Sequence, residues 1–385
     1  MSGLEVVPVA SRADLRDFVD LPLRLHPRDM AVPLLASAIT SWWRGTSPHA
    51  TPVELLLVRD AAGRAVGRTT VHTDARLDAR LGVPSLLFGA TEFADADVAA
   101  ALVRALGDRA AADPGRAQLF GPVSLLPNQS GGVITSGFDA RGFVDSPWNP
   151  AWVPGAYESL GFERWGESDT WVVDVAASSA AGLPSAEEWR AAGLRLERGR
   201  RSQVPRLVPE VLAVLNRAFA ALPYYTTITD AEMAAATDGL GHLVDEDLLL
   251  LARDATTDAL VAFVLVVPDI TAYLQRVGGR LGPLQQLRLL ATRHRYRSEA
   301  VLVIQGTDPD RQGRGVLTLL SRTLQAHLAT GGYDRLRSTY VGRDNPASAR
   351  QFERFGGRPL HGVTFYRRPV PTGTTAALPA AKETR

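Results

Sequence analysis

A stretch near residue 310 combines the residue types that bind an anion through the main chain. Residues 300–320 run AVLVIQGTDPDRQGRGVLTLL, an apolar strand-like segment, a turn with glycines, and leucines at helical spacing. Gly313 and Gly315 let a phosphate approach the backbone closely. The helix predicted from about Val316 turns its first amides and its dipole toward that anion, and two arginines of the turn add positive charge. The chemistry that fits this turn is the binding of a pyrophosphate.

The turn resembles a known motif. Gln312-x-x-Gly315 is similar to the acyl-CoA pyrophosphate loop of the GNAT (GCN5-related N-acetyltransferase) superfamily, whose pattern is Gln/Arg-x-x-Gly-x-Gly/Ala. Downstream, Asn345 and the segment FERFG from Phe352 resemble the helix that flanks the pantetheine and thioester in that superfamily. The resemblance, to two-domain bacterial GNAT-like proteins, extends from about Phe18 to Pro369. It implies that acetyl-CoA or another acyl-CoA, without a metal, is bound by Gly306, Thr307, Arg311, Gln312, Gly313, Arg314, Gly315, Val316, Leu317, Asn345 and Phe352.

Two positions depart from the superfamily's pattern. Leu317 stands where the last Gly or Ala is expected, and Phe352 stands where many members have a tyrosine that is thought to protonate the leaving thiolate. A thiol has a pKa of about 8.5, so its thiolate is an adequate leaving group without a general acid. General acid catalysis contributes about 10²–10⁴-fold, whereas positioning supplies effective molarities of about 10⁵ M or more. The loss of the tyrosine therefore need not abolish transfer, although it lowers the expected rate.

Further candidates come from position along the chain. Tyr340 and Tyr366 are the candidate catalytic side chains, and Asp308 is considered with them as a general base. Tyr224 and Tyr225 follow the first helix of the second half, where such folds build an acceptor pocket, so we expect them, with Gln305, to bind the substrate. Packing on a strand face, or a hydrogen bond in a turn, is the alternative for each of these side chains.

An internal repeat divides the chain into two similar halves. Each half has two apolar runs separated by a short turn, a pattern typical of a β-hairpin, followed later by a third strand and a helix with a similar sequence. Three matches in the same order indicate one duplicated fold. The matched pairs are 54–60 with 248–254, 85–91 with 302–307, and 157–162 with 352–357.

The order of elements within each half predicts the fold class. Strands, a hairpin, and alternating strands and helices predict an α/β (α+β) domain, with a mixed, mainly antiparallel sheet flanked by helices. Together with the resemblance, this implies two tandem GNAT-type acyl-CoA N-acyltransferase domains. We expect a degenerate N-terminal domain at 1–175, a linker at 176–193, a C-terminal domain at 194–370 with the acyl-CoA site, a helical insertion within it at about 269–298, and a disordered tail at 371–385.

The first half lacks the glycine turn. Its counterpart is Phe93-Ala-Asp95-Ala-Asp97, and two carboxylates at a helix start suit the helix dipole but repel a pyrophosphate. We interpret this half as having lost CoA binding, with Tyr157 as a packing residue. The alternative is that it reaches over to complete the site of the second half.

Composition limits the remaining function classes. The net charge of +1 over 385 residues argues against a uniform field for nucleic acid or an acidic membrane, although local basic patches stay open. The absence of cysteine excludes disulfides and thiolate chemistry. Early charges disfavour a signal peptide, and no run approaches the roughly 20 apolar residues of a spanning helix. We therefore expect a cytoplasmic protein with a small-molecule acceptor and no membrane partner.

These observations predict an acyl-CoA-dependent acyltransferase that moves an acyl group, with acetyl as the first expectation, to the amine or hydroxyl of a small molecule. Two alternatives stay open. An aminoacyl-tRNA-dependent transferase with tandem GNAT-like domains is favoured by Phe352, Leu317 and the arginines of the 269–298 segment. A non-catalytic ligand-binding protein, in which both sites have decayed, is the other.

Overall fold

A computed structural model of the chain describes residues 3–126, 128, 130–178, 182–237 and 244–370. The predicted tail, residues 371–385, lies outside the described residues. The strands of the described residues form one sheet. They are β1 (Glu5–Pro8), β2 (Glu54–Arg59), β3 (Ala65–His72), β4 (Ser85–Phe93), β5 (Gln118–Gly121), β6 (Val133–Ser136), β7 (Glu163–Asp174), β8 (Leu194–Arg198), β9 (Leu249–Asp254), β10 (Leu260–Pro268), β11 (Glu299–Thr307), β12 (Arg335–Gly342) and β13 (Arg358–Pro369).

The strand order across the sheet is β1-β2-β3-β4-β5-β13-β7-β12-β11-β10-β9-β8, with β6 beside β13. Only β4 with β5 and β11 with β12 are parallel, and the other neighbouring strands of the described residues are antiparallel. The two predicted hairpins are present as β2–β3 and β9–β10. The predicted mixed, mainly antiparallel sheet is therefore confirmed.

The α-helices flank this sheet, and no helix of the described residues is long and apolar enough to cross a bilayer. In β2, Leu56 packs with the helix at Ala96–Ala112, while its neighbour Leu55 packs with the helices at Arg12–Leu25 and Ala36–Arg44. In β9, Leu250 packs with the helix at Val316–Thr330, and Leu249 packs with the helix at Val204–Phe219. Successive side chains of a strand point to opposite faces, so continuous apolar runs mark strands buried on both sides. The helices are α1 (Arg12–Leu25), α2 (Ala36–Arg44), α3 (Ala75–Leu81), α4 (Ala96–Ala112), α5 (Val153–Ser159), α6 (Val175–Ser178), α7 (Ala186–Ala191), α8 (Val204–Phe219), α9 (Asp230–Thr237), α10 (Thr271–Val277), α11 (Pro283–Thr292), α12 (Val316–Thr330) and α13 (Pro346–Glu353).

The final strands of the two halves are exchanged. We call β1–β7 the N-terminal half and β8–β13 the C-terminal half. Strand β13 lies between β5 and β7 of the N-terminal half, and β7 lies between β13 and β12 of the C-terminal half. The registers pair Tyr366 of β13 with Gly121 of β5, and Val173 of β7 with Leu336 of β12. Each half therefore completes its sheet with a strand of the other.

The internal repeat extends to side-chain chemistry. Arg59 at the end of β2 binds Asp14 of α1 at 2.5 Å, and Arg253 in the equivalent place of β9 binds Glu210 of α8 at 2.7 Å. Both arginines fasten the first long helix of their half to the hairpin. One duplicated fold accounts for both contacts.

Between β10 and β11, helices α10 and α11 form a helical segment that packs against the N-terminal half. A Cβ added to Gly279 would lie 2.3 Å from the Leu34 carbonyl oxygen, and the Gly279 carbonyl accepts from the Ala36 amide at 3.0 Å. Arg280 binds Asp20 of α1 at 2.6 Å. The two halves are thus joined both through the sheet and through this segment.

Candidate functional site

The glycine turn after β11 has the backbone that the sequence predicts. Gly313 and Gly315 have φ angles of 72° and 77°, and α12 begins at Val316. These φ values are open to glycine but costly for most residues. Gly315 is the N-cap and gives the helix no side-chain hydrogen bond. The first turn of α12 is therefore available to an external acceptor.

The amides of residues 313–317, which we call the amide cradle, donate to no acceptor among the described residues. A Cβ added at Gly313 or at Gly315 would meet no atom within 4 Å, so the space beside them is open. Arg314 is exposed and forms no ion pair with the described residues. Unpaired amides at a helix start, with an arginine alongside, fit a diphosphate.

Carboxylates near the turn bind other groups. Asp254 pairs with Arg311, and Asp308 pairs with Arg217 of α8. The Asp308 carboxylate also accepts from the Asp310 amide at 3.0 Å. The carboxylates thus hold the turn from outside and leave the amide cradle open.

The other turn residues fix the strand-to-helix connection. The Gln312 side chain donates to the Thr307 carbonyl oxygen at 3.2 Å, and the buried Thr307 hydroxyl has no hydrogen-bond partner among the described residues. Val316 is buried in the core, and Leu317 packs against the same core cluster. Leu317 therefore points inward and does not obstruct the amide cradle.

Strands β11 and β12 separate beside the turn. Their parallel pairing ends at Leu302 with Ser338, and we call this point of separation the splay. A register shift in the pairing with β10 leaves Val303 as an extra residue there. Such bulges bend a strand locally. The Thr339 hydroxyl donates across the splay to the Val303 carbonyl oxygen at 3.0 Å.

Helix α13 flanks the splay. Asn345 caps this helix by accepting from the Ser348 amide at 3.2 Å. Phe352 is buried and stacked on Trp171 of β7, with ring centroids 5.6 Å apart. Gln305 of β11 and Gln351 of α13 join their side-chain amides at 3.2 Å. Of these predicted site residues, Asn345 and Phe352 thus have structural roles. Gln305 connects β11 to α13 beside the splay.

Comparisons with known proteins agree with this architecture. No protein-family model matches the sequence. Over 374 residues the chain is 23% identical to Protein YghO of Escherichia coli (strain K12), covering 94% of both chains. Over 381 residues it is 24% identical to the bacterial ceramide synthase of Caulobacter vibrioides (strain NA1000 / CB15N), covering 92% of this chain and 95% of that protein.

A solved structure decides the fold. A tandem GNAT protein from the clavulanic acid biosynthesis pathway matches with a TM-score of 0.59 at 17% identity, covering 96% of this chain and 99% of its own. The chain has a tandem GNAT fold. The predicted fold class is thereby confirmed, and the glycine turn, the splay and α13 belong to its second GNAT unit.

The first GNAT unit has the same elements, but its helix start and the gap between its parallel strands are both occupied by the protein. Asp95 caps α4 by accepting from the Val98 amide at 2.9 Å, so a carboxylate stands at the helix start. After the parallel pairing of β4 and β5, the Val123 amide donates to the Phe88 carbonyl oxygen at 2.8 Å. A Cβ at Gly89 would lie 1.6 Å from the Val123 carbonyl oxygen. The chain itself thus occupies the space between these strands.

Tyr366 lies in the core of the first GNAT unit, away from the glycine turn. Its ring stacks on Tyr157 at 4.8 Å, it is fully buried, and its hydroxyl donates to Glu158 at 3.2 Å. The expectation of a catalytic Tyr366 assumed that the last strand completes the second half. Because β13 is exchanged, this phenol packs with the aromatic rings around α5.

Tyr340 and Tyr224, in contrast, come together beside the splay. Both rings contact Phe365, at centroid distances of 6.2 Å and 6.5 Å. Burial, with the nearby Tyr224 and Asp145, raises the pKa of Tyr340 far above its ordinary value, and burial with Asp344 raises the pKa of Tyr224 to about 12. Both phenols are therefore neutral hydrogen-bonding groups at physiological pH.

Tyr225, the neighbour of Tyr224, has a structural role. It is buried, and its hydroxyl donates to the Asn216 side chain at 2.7 Å, which in turn accepts from the Ile228 amide. This network fixes the loop after α8. Of the two adjacent tyrosines, only Tyr224 joins the aromatic cluster near the splay.

Asp145 is a functional candidate that reasoning from the sequence missed. It has a φ of 63°, is exposed, and accepts no hydrogen bond from the described residues. Partial desolvation by the protein packed around its carboxyl raises the pKa of that carboxyl to about 6. Its loop is held on both sides, because Gly142 donates to Met30 at 2.9 Å and Val144 donates to the Thr271 hydroxyl at 3.1 Å. The sequence Asp145-Ser146 gives no indication that Asp145 has a positive φ.

The groups that this site offers to a ligand are side chains and main-chain amides. Among those parts of the chain that the structure describes, no group of three or more His, Asp or Glu side chains is placed to hold a metal ion. The arrangement is therefore one of amides for an anion, a gap between two strands, and a cluster of phenols with one unpaired carboxyl.

Proposed function

We propose that the chain is an acyltransferase that uses an acyl-CoA and acylates an amine at the splay of the second GNAT unit. The observation that carries this proposal is the amide cradle, five consecutive amides that have no acceptor among the described residues and lie beside an exposed arginine. A CoA diphosphate satisfies these amides. The bound thioester then extends along the gap between β11 and β12.

The chemistry needs a group that removes a proton from the acceptor. The amine nitrogen attacks the thioester carbonyl carbon, the new C–N bond forms, the C–S bond breaks, and the thiolate leaves. We assign this proton to Asp145, whose charge acts on the Tyr340 phenol beside the splay. Its carboxyl, with a pKa of about 6, is ionised at neutral pH and is still basic enough to accept a proton.

The other candidates fit that role less well. Tyr340 fits the role of a base less well, because burial raises its pKa far above the ordinary value and keeps the phenol neutral. Partial burial acts to raise the pKa of Asp308, but hydrogen bonds from the Asp310 amide and Arg217 outweigh it and hold that pKa below its usual range. Tyr340 and Tyr224 are better suited to orienting the acceptor through their hydroxyl groups.

For the acceptor, a long-chain amino alcohol is a second candidate beside a small amine. The whole-length similarity to a protein named bacterial ceramide synthase supports it, because ceramide is an N-acylated long-chain amino alcohol. Assays should therefore pair a short-chain and a long-chain acyl-CoA with a small amine and with a long-chain amino alcohol. Amide product from one pairing identifies the donor and acceptor classes together.

Binding of the donor is tested with Arg314→Glu, which brings a carboxylate to the amide cradle at an exposed position. A hydrogen bond to a charged group contributes roughly 1.5–3 kcal/mol, and about 1.4 kcal/mol is tenfold in affinity. We expect acyl-CoA affinity, measured by calorimetry or native mass spectrometry, to fall about 10- to 100-fold in this variant.

Arg104→Glu is the matched control. Arg104 is exposed on α4, the counterpart of α12 in the first GNAT unit, and forms no ion pair with the described residues. It should bind acyl-CoA as the parent does. Failure of the parent itself to bind any acyl-CoA at millimolar concentration would rule out the proposed donor.

A further inference from the structure

The segment between β10 and β11 is strongly basic in an otherwise balanced chain. Residues 270–298 contain six arginines and no Asp or Glu, whereas the whole chain has a net charge of +1. The six are Arg276, Arg280, Arg288, Arg293, Arg295 and Arg297. The expectation of no membrane partner rested on the whole-chain charge, which conceals this concentration.

Most of this positive charge forms no ion pair within the part of the chain that the structure describes. Arg280 pairs with Asp20, and Arg297 pairs with Asp245 at 3.4 Å. The other four, Arg276, Arg288, Arg293 and Arg295, are exposed and form no ion pair with the described residues. Unpaired arginines clustered in one segment attract a surface of negative charge.

The same segment exposes apolar side chains. Leu284 and Leu287 of α11 have 74% and 65% of their surface accessible, more than any other large apolar side chain of the described residues. Residues three and four apart lie on one face of a helix, so Leu284, Leu287 and Arg288 share the outer face. Two leucines with most of their surface in water, on one helix face, mark an interaction surface.

The rest of the segment is held firmly in place. On the inner side of α11, Leu289 is buried with Tyr273, whose hydroxyl donates to the Gln285 carbonyl oxygen at 2.6 Å. On α10, the Gln275 side chain donates to the Ala31 carbonyl oxygen at 3.1 Å. The outer face of α11 is therefore presented outward by a packed base and does not fold back on the protein.

A cleft beside α11 adds a place for an anionic group. It is lined by Leu289, Tyr296, Arg201, Arg293, Arg297 and Asp245. Three of its side chains are guanidinium groups, which bind phosphate through paired donors. The single carboxylate, Asp245, is already bound by Arg297 and by the Tyr333 hydroxyl at 2.9 Å.

We propose that the outer face of α11, with the arginines of residues 276–295, docks on the surface of a bilayer that contains anionic lipid. Interfacial helices of this kind bury leucines among the acyl chains and place arginines at the headgroups. Nucleic acid is the other polyanion that this charge would attract. It offers the two leucines no apolar phase, and they favour the bilayer.

The test is co-sedimentation of the full-length protein with vesicles, without acyl-CoA. We expect partition onto phosphatidylcholine vesicles that contain about a third phosphatidylglycerol, weakening as salt is raised, and little partition onto pure phosphatidylcholine. The double variant Leu284→Ser/Leu287→Ser should lower partition by about tenfold or more per leucine. Arg288→Gln and Arg293→Gln should each lower it by about fivefold.

Leu183→Ser and Arg104→Gln are the matched controls. Leu183 is 59% exposed but lies before α7, and Arg104 is on α4, so both should leave partition unchanged. The proposal is overturned if the leucine substitutions leave partition onto the vesicles unchanged. It is also overturned if the protein does not bind anionic vesicles at low salt. Binding of tRNA that exceeds vesicle binding, and that the arginine but not the leucine variants lose, also overturns it in favour of an RNA surface. Neither result depends on whether acyl-CoA binds.

Discussion

The two GNAT units use the same elements but differ at two places that a CoA needs to be open. These are the start of the helix after the glycine turn or its counterpart, and the gap between the two parallel strands. In the first unit, Asp95 caps the helix after the third long strand, and the chain around Val123 covers the strand that bears Gly89. In the second, glycine stands at the cap and the Thr339 hydroxyl crosses the splay. Duplication thus preserved the sheet and its helices, while a few residues at one end of each unit decide whether there is room for a ligand.

The largest expected effect concerns the contribution of the first unit to the second. Asp145 belongs to a loop of the N-terminal half, so its substitution tests whether that half completes the active site. Asp145→Asn should lower kcat/KM by about 10²–10⁴-fold, the usual range for a lost general base. In the parent, the rate should rise with pH through about 6, as the carboxyl loses its proton, and the variant should lack this rise.

Asp139→Asn controls for charge in the same loop, because Asp139 is exposed and unpaired among the described residues. It should retain full activity and the same pH profile. An Asp145→Asn enzyme within threefold of the parent would mean that the first unit supplies no base.

A second prediction compares Gly89 of β4 with Gly306 of β11, which stands at the matching place of the internal repeat. Gly89→Ala puts a Cβ where the Val123 carbonyl oxygen lies, at 1.6 Å, and should cost about 3 kcal/mol or more of unfolding free energy. A Cβ at Gly306 meets the edge of the Phe263 ring at 3.0 Å and the Ala218 side chain at 3.4 Å, and Gly306→Ala should cost about 1 kcal/mol. Urea unfolding measures both; similar losses would contradict the contrast between a closed and an open gap.

The third prediction concerns acid sensitivity of the first unit. His72 of β3 is buried where the second unit has Val267, and burial lowers its pKa to about 3. The unfolded chain takes up a proton near pH 6.5 and the folded chain does not, so stability falls with decreasing pH. Between pH 7 and pH 5 the loss should be about 2 kcal/mol for this residue.

His72→Gln removes that titration and retains a donor for the Leu125 carbonyl oxygen, which now accepts from His72 at 2.7 Å. The variant should lose less stability than the parent over the same pH range, as followed by thermal unfolding. An equal loss in both proteins would place the acid sensitivity elsewhere.

The smallest effect is expected at Tyr366. Tyr366→Phe removes a hydroxyl bound to Glu158, which costs about 1 kcal/mol of stability or less, and should leave turnover within about twofold of the parent. Tyr340→Phe, beside the splay, should instead raise KM for the acceptor. A tenfold fall in turnover for Tyr366→Phe would show that the exchanged strand does reach the reacting groups.

Much of the second unit could be predicted from local sequence. The hairpins, the glycine turn and the start of α12 at Val316 follow from apolar runs and from residues that favour turns and helix caps. The strand exchange could not be predicted, because an apolar strand pattern does not specify its partner. Tyr366 was therefore assigned to the wrong neighbours, and Asp145, whose position depends on loop packing, was overlooked.

The exchanged strand also has a consequence for synthesis on the ribosome. The N-terminal half cannot close its sheet until β13 has been translated, 184 residues after β7 ends (358 minus 174). At about 5–20 residues per second, this leaves the edges of β5 and β7 without their partner for roughly 10–40 s. Nascent chains of this protein should therefore depend on chaperones that shield strand edges until β13 emerges.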